Sequence, residues 1–144
     1  MNIFAHLIML NVISYKVAIE WAYINFTNLK SAPWLEEITL ANDNSDILRV
    51  LCQNFEIKEN SDIEKLKAGI VANDYFNKKI TLDKALYQIL YNAFIDYTGP
   101  EKSILYEAED LNEYISVVKA EEKAYPILKE LTEYYTKYHN KYIA

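Results

Sequence analysis

Carboxylates dominate the chemistry that this chain's residues could perform. Residues 106–114 read Tyr-Glu-Ala-Glu-Asp-Leu-Asn-Glu-Tyr, with four carboxylates and no base. On a helix that turns Ala108 and Leu111 inward, Glu107, Asp110 and Tyr114 share one flank. Tyr106, Glu109 and Glu113 share the outer face. Like charges at i,i+4, such as Glu109 and Glu113, repel by roughly a few tenths of a kcal/mol. A face that accumulates repulsion and holds no base suits a basic partner supplied from elsewhere. The plainer reading is a solvated helix face in an acidic protein. Open carboxylates lack the ligand set of a tight metal site, so no metal and no cofactor is expected.

Other chemistry finds little support. Phosphate loops and dinucleotide turns need glycines that let the backbone approach a phosphate. Here Gly69 and Gly99 stand alone. The sequence holds no G-x-S-x-G elbow, no C-x-x-C pair and no H-E-x-x-H. His6 and His139 lack a carboxylate or a second histidine at metal spacing on their own helices. His6 is expected to be a polar-ended core filler and His139 a solvated terminal residue, and the chain is not expected to be an enzyme. An enzyme reading would need one of these histidines to meet a carboxylate in space. Glu36-Glu37 and Asp62 with Glu64 fall at helix starts, where they complement the helix dipole.

Tyrosine is the second unusual residue: there are 13, against five Phe. It combines a large rigid apolar face with a polar tip and is enriched at protein interfaces. The last helix carries Tyr134, Tyr135, Tyr138 and Tyr142, and the consecutive pair cannot both face inward. A compositional bias toward Lys, Ile, Asn and Tyr, as A/T-rich codons produce, accounts for the excess equally well.

The elements that must position these residues are helical. The 144 residues, half of them apolar and a quarter charged, suit a single domain over 1–144 with its own core. So few glycines disfavour a turn-rich β fold, and no segment alternates with period two. The expected architecture is all-α, a compact bundle of seven or eight short helices. An apolar helix over 2–10 comes first; it has no basic residue before it and is too short to span a bilayer, so a buried helix is expected rather than a leader or an anchor. Ser14 is expected to cap a helix over 15–26 that is apolar nearly all round and hence central to the core. Pro33 opens a helix with Trp34, Ile38 and Ala41 inward, and Ser45 caps one with Ile47, Leu48, Leu51 and Phe55 inward. A Ser61–Glu64 capping box opens the helix over 61–76, with Ile63, Leu66, Ile70 and Val71 inward. Thr81 caps a helix whose stripe is Leu82, Leu86, Ile89, Leu90, Ala93 and Tyr97, stopped by Thr98-Gly99-Pro100. Pro100 starts the next, with Ile104, Ala108, Leu111, Ile115 and Val118 inward, and Pro126 is expected to break or kink the chain before a final helix bearing Leu128 and Leu131.

Cys52 stands alone, so no intrachain disulfide forms; a reducing, cytoplasmic setting and a buried thiol are expected. The net charge is −6, and Lys78-Lys79 is the only adjacent basic pair, which disfavours direct nucleic-acid binding. No membrane partner is expected.

The size, the acidic balance, segment 106–114, Trp21, Pro33-Trp34-Leu35-Glu36-Glu37 and Ser45-Asp46-Ile47-Leu48 together resemble the small acidic helical immunity proteins of bacterial toxin systems. The resemblance implies a protein that binds and neutralises a cognate toxin domain, often a basic nuclease, by covering its active site or substrate surface. Acidic groups would speed the encounter and tyrosines would anchor it. Tyr106, Glu107, Glu109, Asp110, Glu113 and Tyr114 form the expected binding face. A helical adaptor or regulatory subunit would use the same physics on another partner, and the apolar N-terminus with the tyrosines also fits a homodimer.

Overall fold

Helix punctuation determines the architecture of this chain, and most of it comes from asparagine, aspartate and serine. The structure, a computed structural model, describes residues 1–26, 32–91 and 100–143. Among the described residues eight helices follow one another: α1 (Asn2–Met9), α2 (Tyr15–Phe26), α3 (Pro33–Thr39), α4 (Asn44–Asn54), α5 (Ser61–Phe76), α6 (Leu82–Tyr91), α7 (Pro100–Tyr114) and α8 (Val117–Ile143). No strand occurs among the described residues, so the fold is all-α. Ala93, Tyr97 and the Thr98-Gly99 stop expected from the sequence lie outside the described residues.

Two caps sit earlier than the sequence suggested. Asp43, not Ser45, caps α4 by accepting from the Asp46 amide at 2.9 Å. Asn60, not Ser61, caps α5 by accepting from the Ile63 amide at 3.0 Å. Asn and Asp cap as well as Ser does, and both residues have the extended backbone that an N-cap needs. At the start of α2, where Ser14 was expected to cap, the Tyr15 amide donates to Asn44 Oδ1 of α4 at 2.7 Å. Thr81 does cap α6, accepting from the Lys84 amide at 3.3 Å.

The helices fall into two compact units, Met1–Glu59 with Tyr138–Ala144, and Asn60–Lys137. In the first, α4 lies against α1 and α3, and α2 lies mainly against α3. Phe4, Leu7, Ile8, Leu35, Ile38, Ile47 and Leu51 are fully buried there. Phe4 stacks on Tyr142 at 4.5 Å, and a further ring series joins Trp21, Trp34 and Phe55. Helix α2 is not central to this core. Only Ala18 and Ala22 are buried, one turn apart, while Tyr23 and Ile24 are exposed. The small side chains face the core, Trp21 joins the ring series against Phe4, and Tyr23 and Ile24 are left at the edge. Cys52 is exposed, contrary to expectation. Ile47, Val50 and Leu51 take the inner face of α4, and the next residue turns outward.

In the second unit, α6 packs between α5 and α7, and Ala68, Ala72, Leu86, Leu105, Ala108, Ala120, Ala124 and Leu131 form one core with Ile89 and Leu128. Gly69 fixes the spacing of α5 and α8: a Cβ there would lie 2.7 Å from Tyr135 Cβ and collide with the Leu131 backbone. Ile70 and Val71 are only half-buried. Pro126 was expected to break or kink the chain; the break occurs earlier. Helix α7 ends at Tyr114, the Ser116 amide bonds back to the Leu111 carbonyl, and Ser116 Oγ accepts from the Lys119 amide to start α8. Pro126 lies inside α8, which continues past it. Among the described residues no helix is long and apolar enough to cross a membrane.

Candidate functional site

Helix α7 presents residues 106–114, and its neighbours divide the segment in two. Ala108 is fully buried and Leu105 nearly so, which sets the rotation of the helix. That rotation turns Glu109 toward α6 and Glu107 toward α8. Tyr91 of α6 donates its hydroxyl to Glu109 Oε1 at 2.6 Å. Lys123 of α8 pairs with Glu107 Oε2 at 3.0 Å. Tyr106 lies edge-on to Tyr91, with Lys102 over its ring. The base missing from the segment itself is therefore supplied, for Glu107, by another helix of the same unit. Glu109 does not share an outward face with Glu113; it is half-buried against Tyr91.

The hydrogen bond to Glu109 pushes the Tyr91 phenol up from 10.0 to about 12, with desolvation and the charges of Glu109 and Asp110 adding to it. A phenol that donates to a carboxylate loses both the bond and its charge balance on ionising, so its proton is held more tightly.

Asp110, Glu113 and Tyr114 face outward. No base pairs with either carboxylate among the described residues. Glu113 raises the Tyr114 phenol through its charge and a hydrogen bond. Tyr114 is 74% exposed, and the turn beyond it is uncovered as well: Ile115 is 67% exposed, Val117 52% and Val118 63%. Ile115 and Val118 were expected on the inner face of a longer helix. The Ser116 cap ends that helix, and the chain turns both side chains into water. The signal in the sequence was Ser116 set within a β-branched run, a residue that favours caps over helix interiors.

A cleft of about 1020 Å3 borders the same turn. Asn112 and Val117 line one side, and the end of α5 with the start of α6 lines the other, including Tyr75, Phe76 and Ile80. Lys78, Lys79 and Lys84 also line it, with Asp83 and Glu121. Burial and the Glu121 charge raise the Tyr75 phenol. Lys78 adopts φ 60 as the residue after the α5 cap, and the amides of Lys78 and Lys79 bond back to Tyr75 and Asp74. This left-handed closure normally selects glycine. Sequence reasoning singled out Lys78-Lys79 as the only basic pair but gave it no role.

Neither histidine is among the residues that line this cleft. His6 is buried; its Nδ1 is 2.9 Å from the Asn2 carbonyl oxygen and its Nε2 3.4 Å from Glu59 Oε1. A carbonyl oxygen only accepts, so Nδ1 carries the proton. Asn2 also exchanges two side-chain hydrogen bonds with the backbone of Lys58, so His6 and Asn2 together hold the connection after α4 against α1. His139 is half-buried and engaged in contacts of its own, where a solvated residue was expected. Among the described residues no group of three or more His, Cys, Asp or Glu is placed to hold a metal ion. Comparison with family models, curated proteins and solved structures gives no significant match to this chain.

Proposed function

We propose that this chain is a protein-binding module whose contact surface is the C-terminal end of α7 with the turn into α8, and that its partner is a basic protein domain. One observation carries the reading. Tyr114, Ile115, Val117 and Val118 stand exposed in sequence, beside two outward carboxylates, Asp110 and Glu113, that no base neutralises among the described residues. Adjacent exposed apolar side chains mark interaction surfaces more often than singly scattered ones do. Covering a side chain of this size gains roughly 1.5–3 kcal/mol before ordering costs. The carboxylates contribute differently. At the rim of a contact they steer the encounter and select partners, and add little to the final affinity.

Tyr106, Glu107 and Glu109 take a secondary part in this reading, because they are already engaged with Tyr91, Lys102 and Lys123. The acidic charge and the similarity of sequence pattern to immunity proteins favour a toxin domain, such as a nuclease, as the partner. An adaptor or regulatory subunit would use the same surface. The test is to isolate the partner that co-purifies with the chain from its native cell and measure binding to the purified pair. Asp110→Lys with Glu113→Lys slows association, and Tyr114→Ala mainly speeds dissociation. Unchanged rates in both variants would remove this face from the reading.

A further inference from the structure

The α7–α8 turn and the basic cleft beside it are complementary to each other, and one chain carries both. The turn offers Asp110, Glu113, Tyr114 and Ile115, acidic and apolar, all outward-facing. The cleft offers an apolar wall of Tyr75, Phe76 and Ile80, with Lys78, Lys79 and Lys84 along it. None of these lysines has an ion-pair partner among the described residues, in a chain whose net charge is −6. The cleft is mixed rather than purely basic: Asp83 and Glu121 leave it three cations to two carboxylates. The turn does not enter its own cleft, since Tyr114 and Ile115 are among the most exposed apolar side chains described.

We propose that a second copy of this chain fills the cleft, each copy seating its α7–α8 turn against Lys78, Lys79 and Lys84 of the other. Asn112 and Val117, which flank Tyr114 and Ile115 in sequence, line the cleft. Knob and cleft therefore lie side by side on one face, as a closed two-fold contact requires: each surface patch meets the same patch on its partner. Two knob-and-cleft contacts form at once, and both pair opposite charges. Lys78 supports the assignment in its own way. Its left-handed backbone would be less costly with glycine, whereas its side chain stands where an incoming carboxylate would meet it.

This pairing rests on the outward face used in the preceding reading but needs no other protein. In it, self-association and partner binding compete for the same turn. The test is sedimentation velocity of the full chain over a wide concentration range. The expected species at high concentration has twice the 16.9 kDa chain mass, and added salt dissociates it. Lys78→Glu with Lys79→Glu, and separately Asp110→Lys with Glu113→Lys, each weaken association by about tenfold or more, because like charges then meet at both contacts. Mixing the two variants one-to-one restores the dimer, since every contact again pairs opposite signs. Ile115→Ser, at an exposed position, weakens association without a charge change. A wild-type chain that stays monomeric throughout overturns the pairing and leaves the partner reading intact. So does a dimer that persists in all three variants, or two variants with native circular dichroism that fail to pair when mixed. Partner binding that survives Asp110→Lys with Glu113→Lys unchanged bears on the partner reading alone.

Discussion

Glu107 and Glu109 lie within two helical turns of Asp110 and Glu113, yet the two pairs have opposite fates. The first pair meets Lys123 and Tyr91, side chains from the helices on either side of α7. The second pair meets no base among the described residues and stands beside four exposed apolar residues. The run of carboxylates is therefore two features that happen to be adjacent. One contributes to holding three helices together, and the other is left to the surroundings. Charge density in a sequence does not distinguish these uses; the rotation of the helix does, and buried Leu105 and Ala108 set that rotation.

This contrast can be broken by moving the scaffold. Gly69→Ala would press a methyl group against Leu131 and Tyr135, shift α8 from α5, and carry Lys123 away from Glu107. Overpacking of this kind costs about 1–3 kcal/mol even after the roughly 1 kcal/mol gained from helix propensity, and urea unfolding would measure it. Next in size is Lys78→Gly. The left-handed closure after α5 would be relieved, and stability is expected to rise by about 1 kcal/mol while the cleft loses one charge. Asn11 makes the same closure after α1 with φ 56, and there the asparagine side chain is held by Asn44. Asn11→Gly is therefore expected to gain less than Lys78→Gly.

A smaller effect separates the engaged carboxylates from the free ones by pH. The folded chain raises the Tyr91 phenol from 10.0 to about 12. A raised value means that the bond to Glu109 stabilises the fold fully below 10 and loses that contribution as pH climbs through 12. Tyr91→Phe is expected to be slightly less stable than the wild type at neutral pH, to converge with it at the alkaline end, and to lack one late phenolate step in an absorbance titration. The smallest stability change belongs to Asp110→Lys with Glu113→Lys. Its melting should stay within about 0.5 kcal/mol of wild type, because among the described residues Asp110 and Glu113 meet no base and Glu113 bonds only to the exposed Tyr114.

Much of the fold was legible in the sequence. Helical spacing placed Ile63, Leu66, Leu86, Ile89, Leu128 and Leu131 inward, and all are buried. Thr81 was recognised as a cap. Where the reading failed, tertiary contact or competing local chemistry decided. Ser14 does stand just before α2, its carbonyl accepting from the Ala18 amide, but the bond that the Tyr15 amide donates to Asn44 of α4 is one that no local pattern reveals. Asp43 and Asn60 displaced nearby serines because the backbone became extended one or two residues earlier. Helix α2 looked central because it is apolar all round, but the small pair Ala18 and Ala22 determined which side was buried. Pro126 was expected to break or kink the chain; α8 runs on past it, and Ser116 provides the break that exposes Ile115 and Val118. For the candidate face, residue types in 106–114 marked the right segment. Its division into an engaged half and an outward end depends on Tyr91 and Lys123, 18 residues before Glu109 and 16 after Glu107, and no local spacing records that.

The outward end of α7 is the claim on which the functional reading rests, and association kinetics test it most directly. With the partner isolated from the native cell, the account predicts that Asp110→Lys with Glu113→Lys lowers the association rate by about tenfold or more at low salt, that the loss shrinks as salt rises, and that Tyr114→Ala raises the dissociation rate. Association and dissociation rates that stay at wild-type values in both variants would contradict it.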